Sequence, residues 1–329
     1  MVPAAMPREK PWLSVLLPTR DGARFLREAL ESVCAQQQDG LEVIAVDDGS
    51  TDATPALLAE YAERLPLRVE RAPVHGSWPA SVNFALGQAR GEISTILHQD
   101  DLWEPGRSLV VRKLFDGAPG AALALHPSHY IDDRSRRLGA WTCPLPEARA
   151  PLPFDFVRQR LVVQNFVAVP GASFRTSAAL ACGGLAPSLW YTADWDLWLR
   201  LARGGTVHTR ERLASFRLHT GSQTIQRSGE GLRAQLERVL DREVAEGPLP
   251  ARVERAARFS IEVNLALASS LHGDRRGLRA LLPRLFQLGP AAAALYLRDS
   301  RIHERLSARA RLFAESASRR ARSRLEVTP

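Results

Sequence analysis

From Trp12 onward the chain alternates short apolar runs with amphipathic stretches, and this alternation restricts it to βαβ units built around a mainly parallel sheet. Trp12–Leu17 reads as a strand, Ala23–Gln37 as a helix, Leu41–Val46 as a strand and Pro55–Arg64 as a helix. A short strand at Leu67–Glu70, a helix over Pro79–Ala89 and a strand at Ile93–Leu97 continue the series. In open α/β sheets ligands bind beyond the carboxyl ends of the strands, because loops and helix N-termini converge there. Two acidic turns stand at that address: Asp47-Asp48-Gly49-Ser50-Thr51-Asp52 after the second strand, and Gln99-Asp100-Asp101 after the fourth.

Beyond Gly106 the pattern is mixed. It predicts a helix over Ser108–Phe115, a strand at Ala121–His126, a hairpin around Tyr130–Trp141, a helix over Asp194–Ala202 and strands at Thr206–Arg210 and Ala214–Leu218. After Gly229 only helical spacing remains, in Gly231–Val244, Ala251–Leu271, Leu278–Leu288 and Ala291–Ala317. The expected organisation is a leader over 1–11, an α/β domain over 12–228 and a helical C-terminal region over 229–329.

With 45% apolar and 24% charged residues the chain has the makings of a folded enzyme. Cys34, Cys143 and Cys182 are far apart and lack metal-ligand spacing, which fits a reducing cytoplasm. The first residues lack the apolar core of a secretory signal, and no window supplies the roughly 18 apolar residues of a membrane span. The net charge of +8 is concentrated late in the chain, at Arg301, Arg305, Arg309, Arg311, Arg319, Arg320, Arg322 and Arg324. Such a run is either a solvated helical face or a peripheral contact with the anionic inner face of a membrane. Without interleaved aromatics or a recognition motif it does not read as a nucleic-acid site.

Adjacent carboxylates at the end of a buried strand repel each other, so a fold accommodates them when a cation or a donor-rich ligand neutralises them. Asp100-Asp101 fits that description, and it fits equally a cap on the helix that follows. Asp47 and Asp48 admit the same two readings, with Ser50 or Asp52 as the cap and Gly49 permitting the turn. Asp194 and Asp196 lie about 200° apart on a helix and cannot share one face. Asp196 is spaced to pair with Arg200 on the surface, and Trp195, Trp198 and Leu199 form an apolar stripe, which leaves Asp194 facing a cleft. Trp190, Tyr191 and Trp195 can supply an aromatic platform or simply fill a core.

Five segments, in order and spacing, resemble family 2 glycosyltransferases of the GT-A fold: Ser14-Val15-Leu16-Leu17-Pro18-Thr19-Arg20, Val46 through Asp52, Asn83 with Ala89-x-Gly91-Glu92, Gln99 through Trp103, and Asp194 through Arg200. The resemblance covers Trp12 to Ser222 and implies a Rossmann-like sheet, with a nucleotide-binding half over 12–105 and an acceptor half over 106–228. It implies an inverting transfer from a nucleoside diphosphate sugar, UDP first and dTDP second, to a glycan or lipid-linked hydroxyl in cell-surface polysaccharide synthesis. Pro18, Thr19, Asp47, Asp48, Asn83, Asp100 and His219 match donor-binding positions, Asp101 the ligand of Mn²⁺ or Mg²⁺, and Asp194 the catalytic base.

This chain departs from the family pattern twice. Ala193 stands where relatives usually carry a glutamate, and His98 where many carry the first aspartate of the acidic turn; His98 is expected to pack rather than to ligate. These departures motivate a competing expectation, a catalytically silent nucleotide- or glycan-binding module acting through its helical tail. A nucleotidyltransferase is disfavoured because Pro18-Thr19-Arg20-Asp21-Gly22 is a poor phosphate loop.

Overall fold

A computed structural model describes residues 10–37, 39–71, 75–219, 231–271 and 276–313. The first half follows the expected series: β1 (Leu13–Thr19), α1 (Ala23–Cys34), β2 (Leu41–Asp47), α2 (Thr54–Ala62), β3 (Leu67–Glu70), α3 (Trp78–Gly87) and β4 (Ile93–Ile96). β1 is the hub, parallel to β2 on one side and β4 on the other, with Thr19 opposite Asp47. Every residue of β1 and β2 is buried, as strands covered on both faces must be. Alternate residues serve opposite faces: Leu13, Val15 and Leu17 pack with Leu26 and Leu30 of α1, while Leu16, Ile44 and Val46 pack with Val82 and Leu86 of α3.

The chain continues through β5 (Leu102–Trp103), α4 (Arg107–Gly117), β6 (Leu123–Leu125), β7 (Ser128–Ile131), β8 (Arg137–Trp141), β9 (Ala148–Leu152), α5 (Phe154–Leu161), β10 (Ala172–Arg175), α6 (Thr176–Ala181), α7 (Ala193–Ala202), β11 (Thr206–His208) and β12 (Ala214–Arg217). The large sheet has the order β3-β2-β1-β4-β10-β6-β11-β9. It is parallel through β4 and mixed beyond it, because β10 runs antiparallel to both β4 and β6. A second sheet, β5-β12-β7-β8, contains the expected hairpin as β7 and β8. Its register sets Ser215 opposite Leu102, so the end of β12 lies beside the turn carrying Asp100 and Asp101.

Four helices follow: α8 (Leu232–Glu246), α9 (Ala251–Leu271), α10 (Arg276–Gln287) and α11 (Pro290–Ser300), and then a helical stretch, α12, over 302–313. Leu232, Leu236, Val239 and Leu240 of α8 recur at helical spacing and join the same buried cluster as Trp195 and Trp198 of α7. Arg158 of α5, itself buried, donates through Nε to the fully buried Glu243 of α8 at 3.0 Å. The expected single helix over Ala291–Ala317 is broken at Arg301, whose left-handed φ of 49° ends α11.

The late arginines that fall among the described residues do not form one solvated face: Arg301, Arg305 and Arg309 are partly buried, whereas Arg311 is exposed. Arg301 pairs with Glu304, Arg305 reaches Gln164 and Asn264, and Arg311 donates to the Leu138 carbonyl at 2.9 Å. Arg319, Arg320, Arg322 and Arg324 lie outside the described residues, as do residues 220–230, where the boundary near 228 was expected. No described helix is long and apolar enough to cross a membrane.

Breaking a buried ion pair from one side costs about 3–5 kcal/mol. Glu243→Ala, which leaves the Arg158 guanidinium without its carboxylate, is therefore expected to lower unfolding free energy by about that amount. Urea denaturation followed by tryptophan fluorescence reads the change, and an unchanged midpoint would show that the helical region does not brace the α/β core.

Candidate active site

A cleft of about 470 Å³ runs from the strand ends of the N-terminal half to the C-terminal helices. Its near end is built from three loops. The Gln99 side chain accepts from the Arg20 N–H at 2.8 Å and donates to the Arg20 carbonyl at 3.0 Å, which locks the turn after β4 to the end of β1. Gly22 is required there, since a Cβ would sit 2.2 Å from the Gln99 amide oxygen. Pro18, Thr19 and Asp48 line this end, with Asp48 fixed by the backbone N–H groups of His75 and Gly76.

Asp47 is buried and does not line the cleft; one of its oxygens accepts from the N–H and hydroxyl of Ser50, as the turn reading anticipates. The helix-capping reading falls to Asp52, which accepts from the N–H of Thr54 at 2.9 Å and from that of Ala23 at 3.0 Å. Asn83 is not brought to the cleft. Its side chain donates to the Leu185 carbonyl and accepts from the Leu185 N–H, both at 2.8 Å, so its amide is spent tying α3 to the segment before α7.

The acidic turn divides its labour. Asp100 faces the cleft, and its Oδ2 lies 2.9 Å from Nε2 of His219, whose ring rests on Phe25 at 4.8 Å. Burial raises the Asp100 pKa, but the His219 hydrogen bond and nearby imidazoles outweigh it and hold the carboxyl below its ordinary value. Asp101 lies deeper, outside the cleft lining, with Oδ1 accepting from the Arg217 N–H at 3.0 Å. Burial, with the Asp100 charge beside it, pushes Asp101 well above the ordinary carboxylate range. Thr220 to Ser222, expected to follow His219 toward the diphosphate, lie outside the described residues.

His98 packs edge-on against Trp78 at 4.9 Å, as expected of a strand-end residue, but it also shares a cluster. Ligand atoms of His98, Asp100 and Asp101 lie within 4.8 Å of one another. Nε2 of His98 and Oδ2 of Asp101 are buried without a hydrogen-bond partner among the described residues. Two buried polar atoms without partners beside a cleft carboxylate fit a divalent cation.

At the far end, Asp194 lies in the first turn of α7 and lines the cleft, 8% exposed. Burial raises its pKa to about 6, against the opposing pull of the Trp195 N–H and of the Asn165 side chain, which donates to Oδ2 at 2.8 Å. Ala193 is fully buried in apolar surroundings, so a second carboxylate at that position would have no solvent. Asp196 points away from the cleft as its spacing requires, but its pairing is not a surface one: it is buried, held by both Arg200 and Arg242. Trp190, Tyr191 and Trp195 all line the cleft; the first two are half-buried, whereas Trp195 is buried, its indole donating to the Leu161 carbonyl at 2.7 Å.

Residues 14–180, just over half of the chain, match the family described as glycosyl transferase family 2. The chain belongs to that family. An uncharacterised protein of Mycobacterium tuberculosis is 29% identical over 248 residues, covering 70% of this chain and 68% of that one. An uncharacterised glycosyltransferase of Rickettsia typhi is 24% identical over 218 residues, covering 65% and 66%. Among solved structures, S. aureus TarS residues 1–349 in complex with UDP-GlcNAc superposes with a TM-score of 0.61 at 18% identity, covering 94% of this chain and 91% of that one. A mannosyltransferase of Pyrobaculum calidifontis in complex with GDP-Man and Mn²⁺ gives 0.57 at 18%, covering 92% and 87%. At those identities the two structures establish the fold.

The far wall of this glycosyltransferase includes Gln164, Asn165, Ser260, Asn264, Arg305 and Arg309, none of which the sequence motifs identified. The one available signal was Ser260 and Asn264, polar at i and i+4 on the otherwise apolar stripe of α9.

A carboxylate base works only deprotonated, so kcat/KM of this glycosyltransferase should fall as pH drops below about 6. Asn165→Ala removes a bond that favours the carboxylate form, and the acidic limb should move to higher pH. A pH–rate profile checks both, and an unmoved limb in the variant would exclude Asp194 as its source.

Proposed function

We propose that this glycosyltransferase moves a sugar from a nucleoside diphosphate donor, UDP first and dTDP second, onto a hydroxyl of a glycan or lipid-linked acceptor by one inverting displacement, within cell-surface polysaccharide synthesis. The observation that carries the proposal is Asp194: a carboxylate raised to about 6 by burial, in the same cleft as the Asp100–His219 pair. A base tuned near neutral pH both accepts a proton readily and is largely ionised when it must act.

Pro18, Thr19 and Asp48 hold the nucleoside end of the donor, and Asp47 acts from behind by fixing the turn that carries Asp48. Asp194 takes the proton of the acceptor hydroxyl, which attacks the anomeric carbon from the side opposite the leaving diphosphate. Asn165 holds Oδ2 of Asp194, fixing the direction in which the carboxylate points. His98, Asp100 and Asp101 would hold Mn²⁺ or Mg²⁺, which supplies positive charge for the diphosphate in the ground state and as it departs. Trp190 and Tyr191 provide the aromatic surface against which an acceptor sugar can lie. The bound ligands named for the two structural neighbours, UDP-GlcNAc in one and GDP-Man with Mn²⁺ in the other, support the donor class and the cation.

General-base help is typically worth about 10² to 10⁴ in rate. Asp194→Asn is expected to lose transfer by that factor, with nucleotide affinity unchanged by calorimetry; transfer at the wild-type rate would remove Asp194 from the role. Chelation with EDTA should abolish transfer and added Mn²⁺ restore it. In a thermal-shift screen UDP should stabilise the protein more with Mn²⁺ than without, and Asp100→Asn should erase that difference. Full activity in EDTA would overturn the cation assignment.

A further inference from the structure

Arg305 and Arg309, successive turns of α12, both line the cleft at the end that carries Asp194. Neither has a carboxylate partner among the described residues. Arg305 donates to Oε1 of Gln164 at 2.9 Å and to Oδ1 of Asn264 at 2.5 Å, two neutral amides that position the guanidinium and leave its charge uncompensated. Nη1 of Arg309 is buried with no hydrogen-bond partner, and the groups nearest it electrically are Arg305, Tyr191 and Tyr130. Burial and the neighbouring Arg305 charge depress the Arg309 pKa, the mark of a cation lacking a counter-charge.

The acidic groups close by are otherwise engaged. Glu304 accepts from the N–H and hydroxyl of Thr142 and pairs with Arg301. Asp194 is held by Asn165 and forms no ion pair among the described residues. Buried charges are costly unless paired, so two unpaired guanidinium groups in a ligand cleft point to a charge that the ligand brings.

Connectivity fixes which ligand that is. Gln164, which positions Arg305, is adjacent in sequence to Asn165, which positions Asp194, and Tyr191, one of the groups nearest Arg309, lies three residues before Asp194, so each arginine is tied to a segment on the Asp194 side of the cleft. The donor diphosphate falls to the other side, at Asp100, His219 and His98. We propose that Arg305 and Arg309 form an anion subsite for the acceptor, and that the acceptor is a sugar or polyol bearing an oxyanion, a carboxylate or a phosphate ester, near the hydroxyl that is glycosylated. This rests on the assignment of Asp194 as the base only in naming the bound molecule the acceptor; anion binding at the two arginines stands apart from it.

The test is calorimetric titration of the full chain, saturated with UDP and Mn²⁺ so that the diphosphate site is filled. The probes are methyl glucoside, methyl glucuronide and glucose 6-phosphate. A charge-assisted bidentate contact should make at least one anionic probe bind about tenfold or more tightly than the neutral glycoside. The preferred arm tells a carboxylated acceptor from a phosphorylated one.

Arg309→Gln should remove that preference while UDP affinity stays constant. Its melting temperature should hold or rise, because a repulsive neighbour of Arg305 is gone. Arg309→Lys, which keeps charge without the planar fork, should retain part of the preference and covers the case in which the glutamine variant does not fold. Equal affinity for neutral and charged probes, a preference that survives in Arg309→Gln, or anions that bind by displacing UDP would each overturn the subsite. If UDP fails to bind the wild-type chain, the donor reading falls, and the same titration without nucleotide still decides this one.

Discussion

The site depends above all on one buried cation, Arg217, at the end of the second sheet. Its backbone N–H donates to Oδ1 of Asp101, and its Nε donates to the Asp100 carbonyl at 2.8 Å. Its Nη1 reaches the Asp132 carbonyl and the Ser135 hydroxyl, and its Nη2 reaches Glu28 on α1. One side chain, 1% exposed, thus joins β12, the acidic turn, the β7–β8 hairpin and the first helix. A guanidinium suits this task because its planar array of donors can satisfy several fixed acceptors at once. Without that side chain the acidic turn would lose its tie to the β7–β8 hairpin and to the first helix.

The cleft is asymmetric in charge. At the end near the acidic turn, acidic and imidazole groups converge; at the far end two guanidinium groups have no counter-ion among the described residues. Asp194 sits toward the second end, poised by desolvation rather than by a charged neighbour. The C-terminal helices are responsible for this contrast. They share the apolar cluster of α7 and supply Asn264, Arg305 and Arg309 to the wall of the cleft near Asp194.

Much of this was legible in the residues. The apolar runs fixed β1, β2 and β4 because a strand covered on both faces must be apolar at every position, and the acidic turns fell at strand ends where parallel sheets place ligands. Spacing on α7 separated Asp194 from Asp196, since helical geometry is local. Other assignments were wrong or incomplete. Asn83 was drawn to the donor by its motif and is consumed by Leu185, a backbone partner 102 residues away that no local pattern reveals. Asp196 was placed at the surface because the i,i+4 pairing with Arg200 says nothing about what covers it, and α8 covers it with Arg242.

The sequence by itself determined the sheet-forming core, the acidic turns and the orientation of the base helix, because each follows from periodicity within a few residues. Only the tertiary structure decided which carboxylate of each pair faces the cleft, that His98 joins the acidic cluster, and that two of the late arginines, Arg305 and Arg309, line the cleft. Those outcomes rest on contacts across more than a hundred residues, such as Arg217 with Asp101 and Arg305 with Gln164, and such contacts exist only once β12 is paired and the C-terminal helices are docked.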